Sequence, residues 1–337
     1  MSKVRLLVHL GPMKTGTSAF AAHLSRRASA GTLPPSVIYP TGDLWFSARG
    51  DIVKHHDLVE LAPAPLYGEG ERRRTTEATP QLLRARFAAI AAEAGTRGGE
   101  VKVVMVCEIA DQRATAELGK VLREYFDSVD FVIVARDQTS AIRSLLGQQI
   151  RMWNRTDVAS LDSEDFTRKH AQRGSYDYSR LWDKWNIGSK DYTVHFVPYR
   201  DGVGADDLSQ DVFTAVGFGE FPHSPELLNG ARIHSTFSRG RMRDLATIKR
   251  WGRRLAAIPG AGALSRWVFD SVVRRAHAEI SRKSVRSRDT WTLSESERTF
   301  IREQYQDSNN QFRLKLGADA TNARWTEWFS RTRGTTT

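Results

Sequence analysis

The chain has 337 residues, a formal net charge of +11 at neutral pH and 40% hydrophobic residues, which excludes a disordered protein and allows one large α/β domain or two small ones. Its single cysteine, Cys107, excludes an intrachain disulfide and a cysteine cluster for zinc, and favours a reducing, cytoplasmic compartment. No apolar run approaches the roughly 18 to 20 residues that a membrane span needs.

The first predicted elements are a strand, a phosphate loop and a helix. The apolar run 6–10 has the length of a strand and breaks at Gly11-Pro12, and the helix-forming segment 19–24 follows shortly after. Between them lie Lys14, Thr15, Gly16, Thr17 and Ser18. Unpaired N–H groups and the positive dipole end at a helix start bind anions, and Lys14 adds a full charge.

The spacing of this loop differs from that of the nucleoside-triphosphate loop. In G-x-x-x-x-G-K-[ST] the lysine follows the second glycine, and its hydroxyl neighbour binds magnesium. Here Lys14 precedes Gly16. The standard triphosphate loop is therefore not matched. The alternative interpretation is a plain Gly-Thr turn that opens an α/β domain and binds no phosphate.

Four further strands and several helices alternate along the chain. The further predicted strands are 36–40, 101–107, 130–135 and 192–197. The predicted helices are 81–94, 115–126, one starting at Thr139, 176–185, 208–216 and a terminal helix over 293–310, and the pattern beyond Gly230 is helical throughout. This alternation predicts parallel βαβ units with right-handed crossovers.

Three polar features follow predicted strands of this sheet. They are the Lys14 loop after the first strand, Glu108 after the third and Arg136 after the fourth. Ligands of parallel sheets bind at the carboxyl ends of the strands. We therefore expect these groups to share one site.

A second motif joins Arg136 to Ser144, which lies eight positions later and early in the next helix. A guanidinium offers paired donors to phosphate oxygens, and a hydroxyl adds another. With the Lys14-Thr15-Gly16-Thr17-Ser18 loop, this segment resembles the sulfotransferases that use 3′-phosphoadenosine 5′-phosphosulfate (PAPS), in their bacterial and glycan-type branch. Matching segments run in order from Val4 to about Leu316, but 230–288 does not match.

The resemblance implies a P-loop-type three-layer domain, α/β, with a central parallel sheet of about five strands and a helical C-terminal portion. It implies transfer of a sulfuryl group from PAPS to a hydroxyl or amine, with adenosine 3′,5′-bisphosphate as product and no metal required. Residues 14–18, as Lys14, Thr15, Gly16, Thr17 and Ser18, would hold the 5′-phosphosulfate. Arg136 and Ser144 would hold the 3′-phosphate.

The acceptor also needs a base, and two candidates are open. Glu108 stands where the resembling proteins close the third strand with glutamate, although Cys107 replaces a frequent serine. His56, with His55 beside it, is the rival because imidazole titrates near neutrality. A structural role for either group is the alternative, including a Glu108–Lys14 pair.

The acceptor itself is expected to be a glycan, with a lipid or small natural product as the second choice. Trp45, Phe46 and Trp153 are candidates for stacking against a sugar or aromatic acceptor. Two alternatives to a sulfotransferase stay open, a nucleotide-dependent kinase with an atypical loop and a non-catalytic module that binds an anionic polymer or membrane.

The basic charge is concentrated between Arg239 and Arg288. This segment holds fourteen lysines and arginines and three acidic residues, a net charge of +11, so the rest of the chain is near neutral. Such a surface favours a polyanion or an anionic membrane face, with a solvated arginine-rich face as the alternative. We expect one domain over 1–337, a basic helical insertion or cap over 230–290, a cytoplasmic or peripheral membrane location and no specific nucleic-acid partner.

Overall fold

The computed structural model describes residues 3–45, 52–61, 79–108, 116–151, 163–186, 190–200, 205–221 and 292–333. The strands are β1 (Lys3–Leu10), β2 (Val37–Ile38), β3 (Glu100–Cys107), β4 (Ser128–Ala135) and β5 (Thr193–Pro198). The helices, numbered among these residues, are α1 (Thr17–Ser29), α2 (Pro80–Thr96), α3 (Ala116–Arg123), α4 (Gln138–Arg151), α5 (Ser163–Gln172), α6 (Tyr178–Asn186), α7 (Ala205–Ala215), α8 (Glu295–Leu316) and α9 (Ala323–Arg333). Short 3-10 helices cover Gly42–Leu44, His56–Leu61 and Gly317–Thr321.

The strands form one five-stranded parallel sheet in the order β2-β3-β1-β4-β5, as predicted. The central strands are apolar runs whose side chains are almost fully buried, as expected for strands covered on both faces. The register pairs Leu10 of β1 with Cys107 of β3 and with Ile133 of β4. The carboxyl ends of these three strands therefore lie side by side.

Helices cover both faces of the sheet, which gives the predicted three layers. The α1 crossover leads from β1 to β2 in one direction across the sheet, whereas the α2 and α3 crossovers lead back in the other. Right-handed crossovers in opposite directions place their helices on opposite faces. Helix α7 packs against α1 and so shares its face.

By their contacts the described residues form two compact units. The first comprises the described parts of Met1–Asp137, Ser175–Ala231 and Gln306–Thr337, and it contains the whole sheet. The second comprises those of Gln138–Gly174 and Arg232–Tyr305. The single domain over 1–337 stays a prediction. The basic segment predicted over 230–290 lies entirely outside the described residues.

Helix α5 has no counterpart among the predicted elements, whereas α9 lies in the part of the chain beyond Gly230 for which the sequence predicts helix throughout. In the second unit, Thr167 of α5 donates its hydroxyl to Glu297 Oε1 at 3.1 Å. Glu297 and Ser294 form a capping box at the start of α8, because each accepts the other's backbone N–H.

In the first unit, α9 packs against β5, and Trp328 donates its indole N–H to Ala135 O at 2.9 Å. None of the described helices is both long and apolar enough to cross a bilayer.

The amino-terminal half of the sheet is held by a buried carboxylate. Asp130 Oδ2 accepts from Arg5 Nη2 at 3.2 Å, and its Oδ1 lies 2.9 Å from His195 Nε2. Arg5 also donates to Val216 O at 2.9 Å and lies over the Phe218 ring. One carboxylate thus connects three neighbouring strands at the end of the sheet away from the loop.

Replacing this carboxylate should destabilise the fold. We expect Asp130→Asn to lower the free energy of unfolding by about 1 to 3 kcal/mol, because Arg5 and His195 lose a charged acceptor in a buried place. The matched control is Asp183→Asn, which breaks an exposed ion pair with Lys315 and should cost about 0.5 kcal/mol or less. Urea unfolding followed by circular dichroism measures both, and equal losses in the two variants would contradict a role for the Asp130 network.

Candidate functional site

The loop after β1 turns through left-handed backbone. Lys14 has φ of 74°, and among the described residues it is the one non-glycine residue with positive φ. That conformation costs a non-glycine residue about 1 to 2 kcal/mol. Thr15 stabilises the turn by donating its hydroxyl to Pro12 O at 2.9 Å, and its side chain is buried. The hydroxyl of Thr15 therefore holds the loop together, which leaves its backbone N–H as the group for an anion.

Two side chains from other elements hold the loop carbonyls. Tyr176 donates its hydroxyl to Met13 O at 3.0 Å, and Arg136 donates from Nη1 to Lys14 O at 2.9 Å. In a trans peptide the N–H points opposite to the C=O. These bonds therefore turn the N–H groups of Lys14 and Thr15 to the other side of the loop, as in an anion-binding nest.

The helix that follows begins with its positive dipole end at this loop. Gly16 is its N-cap in left-handed conformation, with φ of 88°, so its N-cap residue supplies no side-chain cap, and the first turn of the helix contains no acidic residue. Glycine is needed because a Cβ would lie 3.0 Å from Tyr199 Cε2 and 2.6 Å from Leu208 Cδ2. The first-turn N–H groups and the helix dipole favour an anion at this point.

Arg136 is anchored next to the loop. Tyr178 binds both backbone groups of Arg136: its hydroxyl accepts the N–H at 2.9 Å and lies 2.8 Å from the carbonyl oxygen. The guanidinium lies 4.7 Å above the centre of the Tyr199 ring. Lys14 and Arg136, which are 122 positions apart in the chain, thus meet at one place in the first unit.

Ser144, the predicted partner of Arg136, lies on α4 in the second unit. Ala141, Ile142, Leu145 and Leu146 of this helix are buried, and Ser144 is half-buried. Its position on the helix matches the sequence pattern. Its role at a shared phosphate with Arg136 stays a prediction.

Lys54 is a site residue that the sequence analysis did not find. Its ammonium donates to Ser18 Oγ at 2.8 Å and to Glu108 Oε2 at 2.6 Å. The pair is largely shielded, with side-chain exposures of 21% for Lys54 and 16% for Glu108. Lys54 links the start of α1 to the end of β3, and its place directly before the two histidines is the signal that could have indicated it.

The two candidate bases are both in a proton-accepting state at neutral pH. Burial alone would raise the pKa of Glu108, but the ammonium of Lys54, with smaller effects from His56 and Lys14, lowers this pKa below its usual range. Burial and the charge of Lys54 lower the pKa of His56 to about 4, against the opposing effect of Glu108. Glu108 is therefore an ionised carboxylate and His56 a neutral imidazole beside the same lysine.

One candidate for the acceptor site is wrong. Trp45 is only 2% exposed, and its ring packs against His55 at 4.8 Å and Phe87 at 6.2 Å between centroids. It is part of the core, because its apolar surface is already covered by these rings. Phe46 and Trp153 lie outside the described residues, as does the segment from Arg239 to Arg288.

Comparison with known proteins does not assign this site. No family model matches the chain, and no curated protein matches it. Among solved structures, the PezAT chromosomal toxin-antitoxin system of Streptococcus pneumoniae is 10% identical, with a TM-score of 0.26 over 74% of this chain and 86% of that chain. An apo GTPase of Pyrococcus abyssi is 10% identical, with a TM-score of 0.25 over 63% of this chain and 97% of that chain. Similarity at this level defines neither a family nor an activity.

Among the described residues, no group of three or more His, Cys, Asp or Glu side chains is arranged to hold a metal ion. The charged and titratable side chains described at the site are those of Lys14, Lys54, Arg136, Glu108 and His56.

Three histidines near the loop should resist protonation, His9 and His55, which are fully buried, and His56, which is half-buried. Burial is the main cause that lowers the pKa values of His9, His55 and His56 to about 4, 3 and 4. In NMR titrations, three histidine ring signals should therefore stay in the neutral position from pH 8 to 5.5, whereas all should titrate near 6.5 in denaturant. Between pH 6.5 and 4 the unfolded chain binds more protons than the folded one, so the free energy of unfolding should fall on acidification. Each histidine contributes at most about 1.4 kcal/mol per pH unit.

The same titration can contradict this picture. A native protein whose histidines all titrate near 6.5, or whose free energy of unfolding does not change between pH 7 and 5, would show that these rings are not buried as described.

Proposed function

We propose that the chain is a PAPS-dependent sulfotransferase. The observation that carries the proposal is the hydrogen bond between Arg136 Nη1 and Lys14 O. It unites the two segments that resemble the opposite ends of a PAPS site, beside a helix start that favours an anion. The PAPS donor carries a phosphosulfate and a separate phosphate, and this arrangement supplies cationic groups for both.

The residues present fit such a donor. The loop N–H groups of Lys14 and Thr15, the first turn of α1 and the ammonium of Lys14 would hold the phosphosulfate. Lys54 is already within hydrogen-bond distance of Ser18 and adds a second cation there. Arg136, with Ser144, would hold the 3′-phosphate through its paired donors.

The transfer forms one bond and breaks another. The acceptor oxygen bonds to sulfur as the bond from sulfur to the bridging oxygen breaks, and that oxygen keeps the electron pair on adenosine 3′,5′-bisphosphate. Negative charge grows on the bridging oxygen, where Lys14, Lys54 and the helix-start N–H groups stabilise it. The acceptor proton passes to a base of the site.

We propose Glu108 as this base and keep His56 as its rival. Glu108 is ionised, lies at the end of β3 and is held by Lys54 at 2.6 Å. Once Lys54 turns toward the negatively charged donor, the carboxylate loses its cationic partner and becomes more basic. His56 is neutral, and its pKa is lowered to about 4 chiefly by burial, a cause that the movement of Lys54 does not remove.

The first test is sulfuryl transfer from labelled PAPS in the presence of EDTA, screened over glycan, lipid and small hydroxyl acceptors. The wild-type chain should transfer label, and Lys14→Ala should lose at least about 100-fold, because a preformed charge at the leaving oxygen is removed. Lys120→Ala is the matched control, since Lys120 is exposed on α3 and pairs with Glu117 in a surface ion pair at 2.9 Å. It should keep wild-type activity.

Two results would contradict the proposal. Near-native transfer by Lys14→Ala would remove the loop from the mechanism. Phosphoryl transfer from ATP that stops in EDTA, together with no binding of adenosine 3′,5′-bisphosphate, would identify a kinase with an atypical loop instead.

The second test separates the two bases. We expect Glu108→Gln to lower kcat by about 10² to 10⁴, since a general base of this kind contributes that much, while the affinity for adenosine 3′,5′-bisphosphate changes little. His56→Asn is the comparison and should lose less than about tenfold, the range left for a neighbouring polar group. The reverse order of effects would make His56 the base.

We further propose a glycan hydroxyl as acceptor, with a lipid or small natural product next. The +11 segment between Arg239 and Arg288 supports an anionic glycan or membrane surface by its charge. The single cysteine supports a cytoplasmic location.

A further inference from the structure

His55 stands between two site residues, Lys54 and His56, but faces elsewhere. It is fully buried, whereas Lys54 and His56 are half-buried. Its backbone N–H donates to Val106 O at 2.7 Å, and its ring Nδ1 accepts the N–H of Val106 at 3.0 Å. One residue thus satisfies both backbone groups of Val106.

These two hydrogen bonds complete the edge of β3. Strand β2 pairs with β3 only at Lys102 and Val103, so it does not reach Val106 near the carboxyl end of that strand. A strand edge left without partners exposes backbone groups that must be satisfied in a buried place. His55 takes the part of a strand neighbour there, with its ring nitrogen acting as the acceptor that a carbonyl would otherwise provide.

The ring is fixed in one tautomer. A backbone N–H can only donate, so Nδ1 must be the acceptor and Nε2 must carry the proton. Nε2 lies 3.0 Å from Pro40 O, and its N–H donates a hydrogen bond to that carbonyl oxygen. Burial lowers the pKa of His55 to about 3, so the ring stays neutral and both bonds persist.

The neighbouring chain is anchored as well. The His55 ring lies edge-on to Tyr39 at 5.0 Å and packs on Trp45. Val53, on the other side of Lys54, donates its N–H to Ser25 Oγ at 2.9 Å and accepts from the Tyr39 hydroxyl at 2.6 Å. The backbone is therefore held on both sides of Lys54, and a long flexible side chain becomes confined to one region.

We propose that His55 is a positioning residue: by hydrogen-bonding both backbone groups of Val106 and the carbonyl of Pro40, it places Lys54 and His56 beside Glu108. Its effect on catalysis rests on the proposed function, whereas its effect on the site geometry does not. Histidine suits this position because a rigid ring presents an acceptor and a donor at opposite corners to two backbone segments.

The kinetic test compares His55→Asn and His55→Leu with His23→Leu. His23 is also buried, at 6% exposure, and its Nδ1 lies 3.0 Å from Ser209 Oγ in the contact between α1 and α7. His55→Leu removes both ring bonds and should lower kcat about 100-fold, because small displacements of catalytic groups cost that much. His55→Asn keeps an acceptor for the N–H of Val106, so its kcat should lie between those of the wild-type chain and of His55→Leu. The affinity for adenosine 3′,5′-bisphosphate should fall by less than kcat does, by about tenfold at most, because Lys54 is displaced whereas the loop and Arg136 are untouched.

The control separates positioning from stability. His23→Leu should lower Tm by a similar amount and leave kcat unchanged. If kcat falls equally in His23→Leu, or stays at the wild-type value in His55→Leu with a lowered Tm, His55 is a structural residue only and the proposal is overturned. Should His55→Leu fail to fold, His55→Asn against His23→Asn gives the same comparison.

A second readout needs no activity. The ring of His56 should titrate near pH 4 in the wild-type chain and move toward 6.5 in His55→Asn, because the released segment exposes it to solvent. An unchanged titration would overturn the placement of His56 by His55. If the wild-type chain transfers no sulfuryl group, the proposed function fails while this NMR result still decides the geometric role of His55.

Discussion

The hydrogen bond between the Arg136 guanidinium and the carbonyl of Lys14 is the contact on which the site depends. It joins the ends of β1 and β4, whose parallel register brings Leu10 level with Ile133 and so brings the following residues to the same edge. Left-handed backbone at Lys14 is unfavourable by itself, and the carbonyls turned toward Tyr176 and Arg136 compensate for it. The strain and its compensation together turn the N–H groups of Lys14 and Thr15 to one side of the loop.

The charged groups of the site also favour an anion at the loop. Lys14, Lys54 and Arg136 bring three cationic groups, and Glu108 brings a carboxylate, to the positive end of α1. Cations held this close oppose one another, and shielding from water strengthens that opposition. An anion with two separated negative groups would relieve it at both ends.

Much of this fold follows from the sequence, and the reason is local. Buried parallel strands such as β3 and β4 are apolar runs of strand length, and the Lys14 loop has its own turn chemistry, so both are visible without tertiary information. Helix α9 falls within the helical pattern predicted beyond Gly230, but its bounds and its position were not predicted, because they depend on Trp328 reaching Ala135 across the chain. Lys54 was missed for a similar reason. It lies in an irregular segment whose course is set by bonds to residues far away, and no spacing in the sequence encodes that course.

The pair His55-His56 shows where sequence reasoning reaches its limit. Two adjacent histidines in a loop are chemically identical in the sequence. From the sequence, a candidate base is predicted at His56, and His55 is treated only as its neighbour. The structure gives them opposite environments, because Val106 and Pro40 bind the ring of His55 while His56 lies within the influence of Lys54 and Glu108. A residue that cannot titrate can still govern chemistry by fixing the backbone of those that can. In this site, the residue with the least access to a substrate is the one that determines where two of its charged and titratable groups lie.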